Sequence, residues 1–250
     1  MQVSQNLGIL VQARSGSNRF PNKVTHSLIN SITVIEYLIR SLLLVENINS
    51  LAVITTKKVR DNKIEKLVLK SGVNIYRGSE DNVMKRYIDA ANHFKIDTII
   101  RIPGDNPFIL PSLISQAVKE WNKNKKKIDY LSTILDDSFP IGMHIEIFTL
   151  KALEKAYLRV KKKGDLEHVT SYFYNNPNYF NLKKLSSSKN LSKYRFTIDY
   201  FKDLIFSRKL AELINIDKKT SLTDLVLATK EIPLKYHNKD THKKRRYSKY

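Results

Sequence analysis

Three cations follow the first apolar segment of the chain and surround a glycine. The apolar run at 7–11 is followed by Arg14, Gly16, Arg19 and Lys23. A run of this length is typical of a buried parallel strand, and open α/β sheets bind ligands beyond the carboxyl ends of such strands. Clustered phosphate oxygens need several cations and donors at once, which arginine forks, a mobile lysine and a tight turn supply. The pattern favours a polyphosphate site, and the alternative is a basic surface loop.

Two aspartates each come shortly after an apolar segment. Asp105 comes shortly after the segment 97–102, and Asp199 comes directly after the segment 194–198. Both are therefore expected at the same rim of the sheet as the basic loop. Mg²⁺ that bridges the phosphates of a nucleotide usually takes one or two protein carboxylates, which makes these side chains candidate metal ligands. Each has a plain alternative: Asp105 can form an Asx-type turn before Pro107, and Asp199 can cap a following helix.

Apolar patterning predicts the elements that position these residues. Short segments rich in apolar residues predict strands at 7–11, 51–55, 73–76 and 97–102, and helical periodicity predicts helices at 31–46, 61–71, 80–94 and 111–121. This alternation predicts an α/β fold with a doubly wound, mostly parallel sheet and right-handed crossovers, and 97–102 is expected at its centre. The later pattern is looser, with strands predicted at 129–133, 143–148, 179–185 and 194–198 and helices at 150–160, 165–175, 200–214 and 221–229.

The chain is expected to form one large domain with an elaborated second half. We assign residues 1–216 to this domain, in which about 138–193 form an inserted mixed α/β region, either a subdomain or a dimer arm. Residues 217–250 are expected to add a C-terminal helix and a basic tail. A chain of this length buries roughly 70–75% of its unfolded surface, so its core needs no external staple.

Composition excludes several classes of protein. The chain has no cysteine, which excludes disulfides and thiolate metal sites and fits a cytoplasmic location. No apolar run approaches the roughly 20 residues of a membrane span, and no signal peptide is indicated. The formal net charge is +20, with cations concentrated in 123–127, 161–163 and 235–250. Such clusters are typical of solvated helix ends and a tail, so a nucleic-acid partner is not expected.

Six motifs occur in order along the chain. They are Gln12-Ala13-Arg14-x-Gly16-Ser17-x-Arg19-Phe20-Pro21-x-Lys23, Arg77-Gly78-Ser79-Glu80-Asp81-x-Val83, Arg101-x-x-Gly104-Asp105-x-Pro107, Gly142-x-x-x-Glu146, Glu167-His168-Val169-Thr170 and Arg195-x-Thr197-Ile198-Asp199. Together they resemble the cytidylyltransferases that activate acidic sugars, including the enzymes that make CMP-sialic acid and CMP-Kdo, and especially the spore-coat polysaccharide SpsF-like branch. The resemblance covers about residues 7–215.

The resemblance implies a nucleotide-diphospho-sugar transferase fold and an enzyme that works as a homodimer. Its reaction would use Mg²⁺, CTP and a sugar, expected to be acidic, and would give a CMP-sugar and pyrophosphate for surface polysaccharide or glycoconjugate biosynthesis. In-line attack of an acceptor hydroxyl on the α-phosphorus is expected, with catalysis mostly by positioning and charge stabilisation.

The resemblance also assigns roles to residues of this chain. Catalytic roles fall to Arg14, Lys23 and Asp105, and metal binding to Asp105 and Asp199. The nucleotide-binding set is Gln12, Ala13, Arg14, Gly16, Ser17, Arg19, Lys23, Arg77, Ser79, Asp81, Arg101 and Gly104. The acceptor-binding set is Gly142, His144, Glu146, Glu167, His168 and Thr170.

One departure from the branch concerns the acceptor. This chain has Ile141-Gly142-Met143-His144 where SpsF-like sequences often have Asp-Gly-x-Asp, so a different acceptor is expected if that aspartate contacts it. Two alternatives to the assigned function stay open. One is a nucleotidyltransferase that acts on a sugar phosphate or uses another NTP, and the other is an inactive domain of the same fold that binds an anionic polymer.

Overall fold

The computed structural model describes residues 6–238. Its strands are β1 (Leu7–Gln12), β2 (Ser27–Ile29), β3 (Ile32–Thr33), β4 (Ser50–Thr56), β5 (Asn74–Gly78), β6 (Thr98–Pro103), β7 (Tyr130–Ser132), β8 (Glu146–Thr149) and β9 (Leu182–Lys184). Its helices are α1 (Val34–Leu42), α2 (Asn62–Lys70), α3 (Val83–His93), α4 (Pro111–Asn124), α5 (Leu150–Tyr157), α6 (Lys163–His168), α7 (Ser171–Asn175), α8 (Phe201–Leu213) and α9 (Leu222–Lys230). Short 3₁₀ turns lie at Lys23–Thr25, Val59–Asp61 and Leu234–Tyr236.

The main sheet has the strand order β5-β4-β1-β6-β8-β7-β9, and β2 pairs with β3 in a separate ribbon. The pairs from β5 to β6 are parallel, and so is the pair β7–β9. Strand β8 is antiparallel to both β6 and β7. The predicted α/β fold with a mostly parallel sheet is therefore confirmed, and β6 occupies the middle position as predicted. The stretch 138–193 contributes β8 and β9 to this same sheet.

Helices cover both faces of the sheet, which explains why β1 is apolar from Leu7 to Val11. Ile9 and Val11 belong to a core cluster with residues of α1, α2, α4 and α8. Leu10, between them, belongs to a second cluster with residues of α3, α5 and α7. Because successive side chains of a strand point to opposite faces, a strand buried on both sides is a continuous apolar run. Within residues 6–238, no helix is both long and apolar enough to cross a membrane.

The strand predicted at 194–198 does not form. The backbone N–H of Phe196 bonds the carbonyl oxygen of Ile141 at 2.7 Å, and the N–H of Ile198 bonds that of Asp105 at 2.9 Å. The segment thus divides its hydrogen bonds between two different loops instead of forming a ladder with one strand. This arrangement holds the end of the segment beside the loop after β6.

One predicted helix divides in two, and another begins later than predicted. The helix predicted at 165–175 divides into α6 and α7 at Val169, which has a positive φ of 59°. The helix predicted at 31–46 begins only at Val34, because the preceding residues form a turn and the short strand β3. Thr33 and Glu36 form a reciprocal capping box at the start of α1. Such a box stabilises a helix start because it gives hydrogen-bond partners to otherwise free N–H groups.

Candidate functional site

An open pocket of about 670 Å³ lies beyond the carboxyl ends of β1 and β6. The structure brings to its walls these residues that the sequence singled out: Gln12, Ala13, Arg14, Gly16, Ser17, Arg19, Lys23, Arg101, Asp105, His144, Glu167, His168, Thr170 and Asp199. The other candidates, which lie outside its walls, are Arg77, Ser79, Asp81, Gly104, Gly142 and Glu146.

The loop after β1 is anchored by a buried carboxylate, Asp61, just before α2. Asp61 accepts hydrogen bonds from the Ser15 backbone N–H at 2.8 Å and from the hydroxyls of Thr55 at 3.2 Å and Thr56 at 2.5 Å. Burial works to raise the pKa of Asp61, but the hydrogen bonds outweigh it and hold the pKa below its ordinary value. The cation-bearing loop is thereby fixed to the end of β4. Sequence analysis missed this role and treated Asp61 only as the start of a helix.

Asp61→Asn is expected to destabilise the protein by about 2–4 kcal/mol, because an amide group leaves buried donors unpaired. The wild-type carboxylate contributes its stability above its unfolded pKa and loses it as the pH falls through its lower folded pKa. The difference in unfolding free energy, measured by urea denaturation, should be largest near neutral pH and shrink below about pH 4. Asp224→Asn, at an exposed cap of α9, is the control. An equal loss in both variants would contradict the anchoring role.

Lys23 joins the two candidate metal ligands. Its Nζ lies 2.5 Å from Asp105 Oδ2 and 3.1 Å from Asp199 Oδ1. Arg19 donates to the same Asp199 oxygen at 2.5 Å. The Lys23 side chain is only 12% exposed; burial works to lower its pKa, but the carboxylates of Asp105 and Asp199 outweigh this and raise the pKa above its ordinary value. The basic loop and both carboxylates thus meet at one rim of the sheet.

Asp203 caps helix α8, so the alternative role of Asp199 as a helix cap does not hold. The backbone N–H groups of Asp199 and Tyr200 donate to Asp203 Oδ2 at 2.8 and 2.9 Å. Asp203 also accepts from Arg195 Nε at 3.1 Å, and Arg195 Nη2 donates to Asp199 Oδ2 at 2.8 Å. Sequence analysis missed Asp203, although an acidic residue in the first turn of a predicted helix is a capping signal.

Asp105 and Asp199 fit a Mg²⁺ ion. Carboxylate oxygens are the ligands that Mg²⁺ prefers, and one compact cation, the Lys23 ammonium, contacts both groups. Burial works to raise the pKa of Asp199, but the Lys23 charge and the Arg195 hydrogen bond hold it well below its ordinary range. Asp199 is therefore ionised at neutral pH. Residues 6–238 hold no cluster of three or more metal-ligating side chains, and a pair suffices for an ion that also takes phosphate oxygens and water.

Glu146 lies beneath the pocket, which corrects its assignment as an acceptor contact. It is fully buried, pairs with Arg101, and accepts from the Tyr130 hydroxyl at 2.6 Å. Arg101 also donates to Gln12 Oε1 at 3.2 Å. A side chain without exposed surface cannot touch a sugar in the pocket. Glu146 instead holds Arg101, and through it Gln12, in place at the end of β1.

Two predicted glycines shape the pocket through the backbone. A Cβ atom on Gly104 would lie 2.8 Å from the Gln12 carbonyl oxygen, so glycine lets the ends of β1 and β6 approach. Gly142 has a φ of +106°, and a Cβ atom there would lie 2.7 Å from the Phe196 carbonyl carbon. Positive φ and close backbone contact both favour glycine. Neither position lines the pocket. The structure thus gives Gly104 and Gly142 a role in backbone packing and shows no surface on them for a nucleotide or an acceptor.

Arg77 lies near the end of β5, and Ser79 and Asp81 lie on the loop between β5 and α3. All three are outside the walls of the pocket. The Arg77 guanidinium donates to Glu65 at 2.6 Å and to the Thr56 carbonyl oxygen at 2.9 Å. Ser79 and Asp81 are exposed. In this arrangement Arg77 braces α2 against the end of β4 and does not face a nucleotide in the pocket.

The far side of the pocket comes from the second half of the chain. Arg14 pairs with Glu167 of α6 at 2.9 Å, which links the first loop to this side. The sequence assigned no role to the pocket-lining residues Asn106, Ile134, Tyr174, Thr197 and Tyr200. Tyr174 on α7 comes four residues after Thr170, which directly precedes this helix. This helical spacing is a signal in the sequence that the two side chains share a face. The loop residues Asn106 and Ile134 carry no such signal.

Comparison with known proteins gives a consistent family. The sequence model of the cytidylyltransferase family matches residues 8–237. An uncharacterised protein of Methanocaldococcus jannaschii is 38% identical over 213 residues, which are 83% of this chain and 85% of that protein. The spore coat polysaccharide biosynthesis protein SpsF of Bacillus subtilis is 29% identical over 204 residues, which are 78% of this chain and 81% of that protein.

Solved structures agree with this finding. A cytidylyltransferase from Leptospira borgpetersenii serovar Hardjo-bovis superposes with a TM-score of 0.86 at 32% identity and covers 90% of this chain and 94% of its own. CMP:2-keto-3-deoxy-manno-octonic acid synthetase, solved with CTP, shares the fold with a TM-score of 0.65 at 15% identity over 83% of this chain and 99% of its own. The family match spans nearly all described residues, and the chain therefore belongs to the cytidylyltransferase family of nucleotidyltransferases.

Proposed function

We propose that the enzyme transfers CMP from CTP to a sugar and releases pyrophosphate, with Mg²⁺ as cofactor. The observation that carries this proposal is the contact of one lysine, Lys23, with both Asp105 and Asp199. Cations for a triphosphate and carboxylates for a metal ion are thereby within reach of each other. Membership of the cytidylyltransferase family supports CTP as the nucleotide.

The charges of the pocket are paired within the protein when no substrate is present. Arg14 pairs with Glu167, and Lys23 and Arg19 pair with Asp199. In the proposed complex Asp105 and Asp199 would hold Mg²⁺, which would supply positive charge to the phosphates. Lys23 and Arg19 are then free to bind the phosphates. Binding of Mg²⁺ to Asp105 and Asp199 would thus release Lys23 and Arg19 for the phosphates of CTP.

The proposed reaction is an in-line displacement. The acceptor hydroxyl attacks the α-phosphorus and gives up its proton to solvent. The bond from the α-phosphorus to the oxygen that bridges it to the β-phosphorus breaks, and pyrophosphate leaves with that oxygen and the bonding electron pair. Arg14, Arg19 and Lys23 hold the triphosphate and stabilise the charge that develops on the leaving group. Arg101 and Gln12, fixed from below by Glu146, keep the floor of the site rigid, which favours positioning of the reactants.

The acceptor is proposed to be an acidic sugar that binds on the side of Glu167 and His168. The synthetase with the same fold is named for such an acid, and SpsF is named for polysaccharide biosynthesis. His144 lines this side of the pocket, where SpsF-like sequences often have an acidic residue, so the acceptor is proposed to differ from theirs. We further propose a cytoplasmic homodimer, with residues 1–216 as the transferase domain and 217–250 as a C-terminal addition.

The test is a pyrophosphate-release assay with each of the four NTPs and Mg²⁺, against a panel of ulosonic acids, neutral sugars and sugar phosphates. We expect release only with CTP and only in the presence of a free sugar. Preference for another NTP or for a sugar phosphate would favour the other nucleotidyltransferase activity. Binding of CTP without turnover on any acceptor would contradict the proposal in favour of an inactive binding domain.

A further inference from the structure

The last described residues of the chain return to the candidate site. We call Leu234–Asn238 the C-terminal strap; it follows α9 and packs against α8. The His237 ring lies 6.1 Å from the ring of Phe206 on α8. Asn238 is only 4% exposed, and its side-chain amide donates to Asp203 Oδ1 at 2.8 Å. The strap therefore ends in a buried hydrogen bond to the carboxylate that organises the start of α8.

Asp203 connects this hydrogen bond to the candidate metal ligand. Its Oδ1 serves both Asn238 and Arg195 Nε, while its Oδ2 accepts the backbone N–H of Asp199 at 2.8 Å. Arg195 in turn donates to the Asp199 carboxylate. One fully buried carboxylate thus sets both the backbone and the side-chain partner of Asp199. A helix cap alone needs only Oδ2, so the contacts on Oδ1 go beyond capping.

We propose that Asn238, at the end of the C-terminal strap, is a positioning residue that acts through Asp203 on the metal-binding carboxylate Asp199. The inference rests on the proposed function, because it takes Asp199 as a metal ligand. Partners that orient metal ligands typically change metal affinity or activity 10–100-fold when removed. The family match ends at residue 237, so the family pattern assigns Asn238 no role. The hydrogen bond from Asn238 fixes the orientation of the Asp203 carboxylate, and this orientation sets the positions of Arg195 and Asp199.

The experiment compares Asn238→Ala with the wild-type chain by titration with Mn²⁺, followed by electron paramagnetic resonance in the presence and absence of CTP. We expect the dissociation constant for Mn²⁺ to rise about tenfold in the variant, with the same rise in the Mg²⁺ concentration that gives half-maximal pyrophosphate release. The KM for CTP at saturating Mg²⁺ should change less. Thermal unfolding of the same samples shows whether the variant is folded.

The matched control is Asn124→Ala, which removes an amide-to-carboxylate hydrogen bond to Glu120 of 3.0 Å near the end of α4. This variant should lose stability without a change in Mn²⁺ affinity. Wild-type Mn²⁺ affinity in Asn238→Ala would overturn the inference, whatever its stability. If no NTP supports turnover, the proposed function fails, while weaker Mn²⁺ binding by Asn238→Ala would still support the positioning role. Absence of Mn²⁺ binding by the wild-type protein would overturn the inference and the metal assignment together.

Discussion

Lys23→Ala is expected to lower the rate of pyrophosphate release at least about tenfold at saturating CTP and Mg²⁺, because a preorganised cation at the leaving group is lost. The fold should persist, since the loop that leads to Lys23 is held at Ser15 by Asp61, independently of the Lys23 side chain. In Lys23→Ala, the carboxylates of Asp105 and Asp199 have lost the ammonium group that both contact, and in the absence of Mg²⁺ they repel each other. The variant should therefore gain more thermal stability from added Mg²⁺ than the wild-type protein does.

The control for this prediction is Lys218→Ala, which removes a lysine that pairs with Glu46 on the surface. It should leave both turnover and the effect of Mg²⁺ on thermal stability unchanged. Circular dichroism establishes that Lys23→Ala is folded, and Lys23→Gln provides a second variant that keeps the length of the side chain. Near-normal turnover in a folded variant would rule out Lys23 as part of the catalytic machinery.

The first half of the fold could be predicted from the sequence because its elements are set by local patterns. Strands β1, β4 and β6 are buried on both faces and therefore appear as continuous apolar runs. The second half depends on long-range pairing. The segment 194–198 is as apolar as a strand, but its N–H groups bond the loops around Ile141 and Asp105, which no local pattern indicates. The antiparallel direction of β8 is likewise set by the path of the chain.

The sequence predicted the charged residues of the candidate site but not the buried residues that hold them in place. Arg14, Lys23 and Asp199 could be found because each follows an apolar run. Glu146 looked like an acceptor contact because a motif shows residue type without depth, and only the structure shows that Glu146 is fully buried. Asp61 anchors a loop 46 residues away in sequence. Such contacts arise from tertiary packing, so a single sequence holds no spacing that points to them.

Asp105→Asn is expected to raise the Mg²⁺ concentration for half-maximal turnover at least about tenfold, because a neutral amide is a poor ligand for a hard cation. Asp105 is a cleaner probe of the metal site than Asp199. Asp199 is 11% exposed and pairs with Arg19 and Arg195 as well as Lys23, so its replacement also removes partners from the buried Arg195 and Lys23 side chains. Asp105 is 23% exposed and contacts Lys23 through one oxygen, so Asp105→Asn should remain folded.

The measurement is a Mg²⁺ titration of pyrophosphate release, with Asp129→Asn as the matched control. Asp129 also accepts a hydrogen bond, from the Asn181 backbone N–H at 2.9 Å. It lies just before β7 and outside the walls of the pocket, so its replacement should leave the titration unchanged. An unchanged titration in Asp105→Asn would favour the alternative in which Asp105 only forms the turn before Pro107. A shifted titration with a preserved KM for CTP at saturating Mg²⁺ would separate a metal ligand from a residue that binds the nucleotide directly, because only the ligand's effect is overcome by more metal.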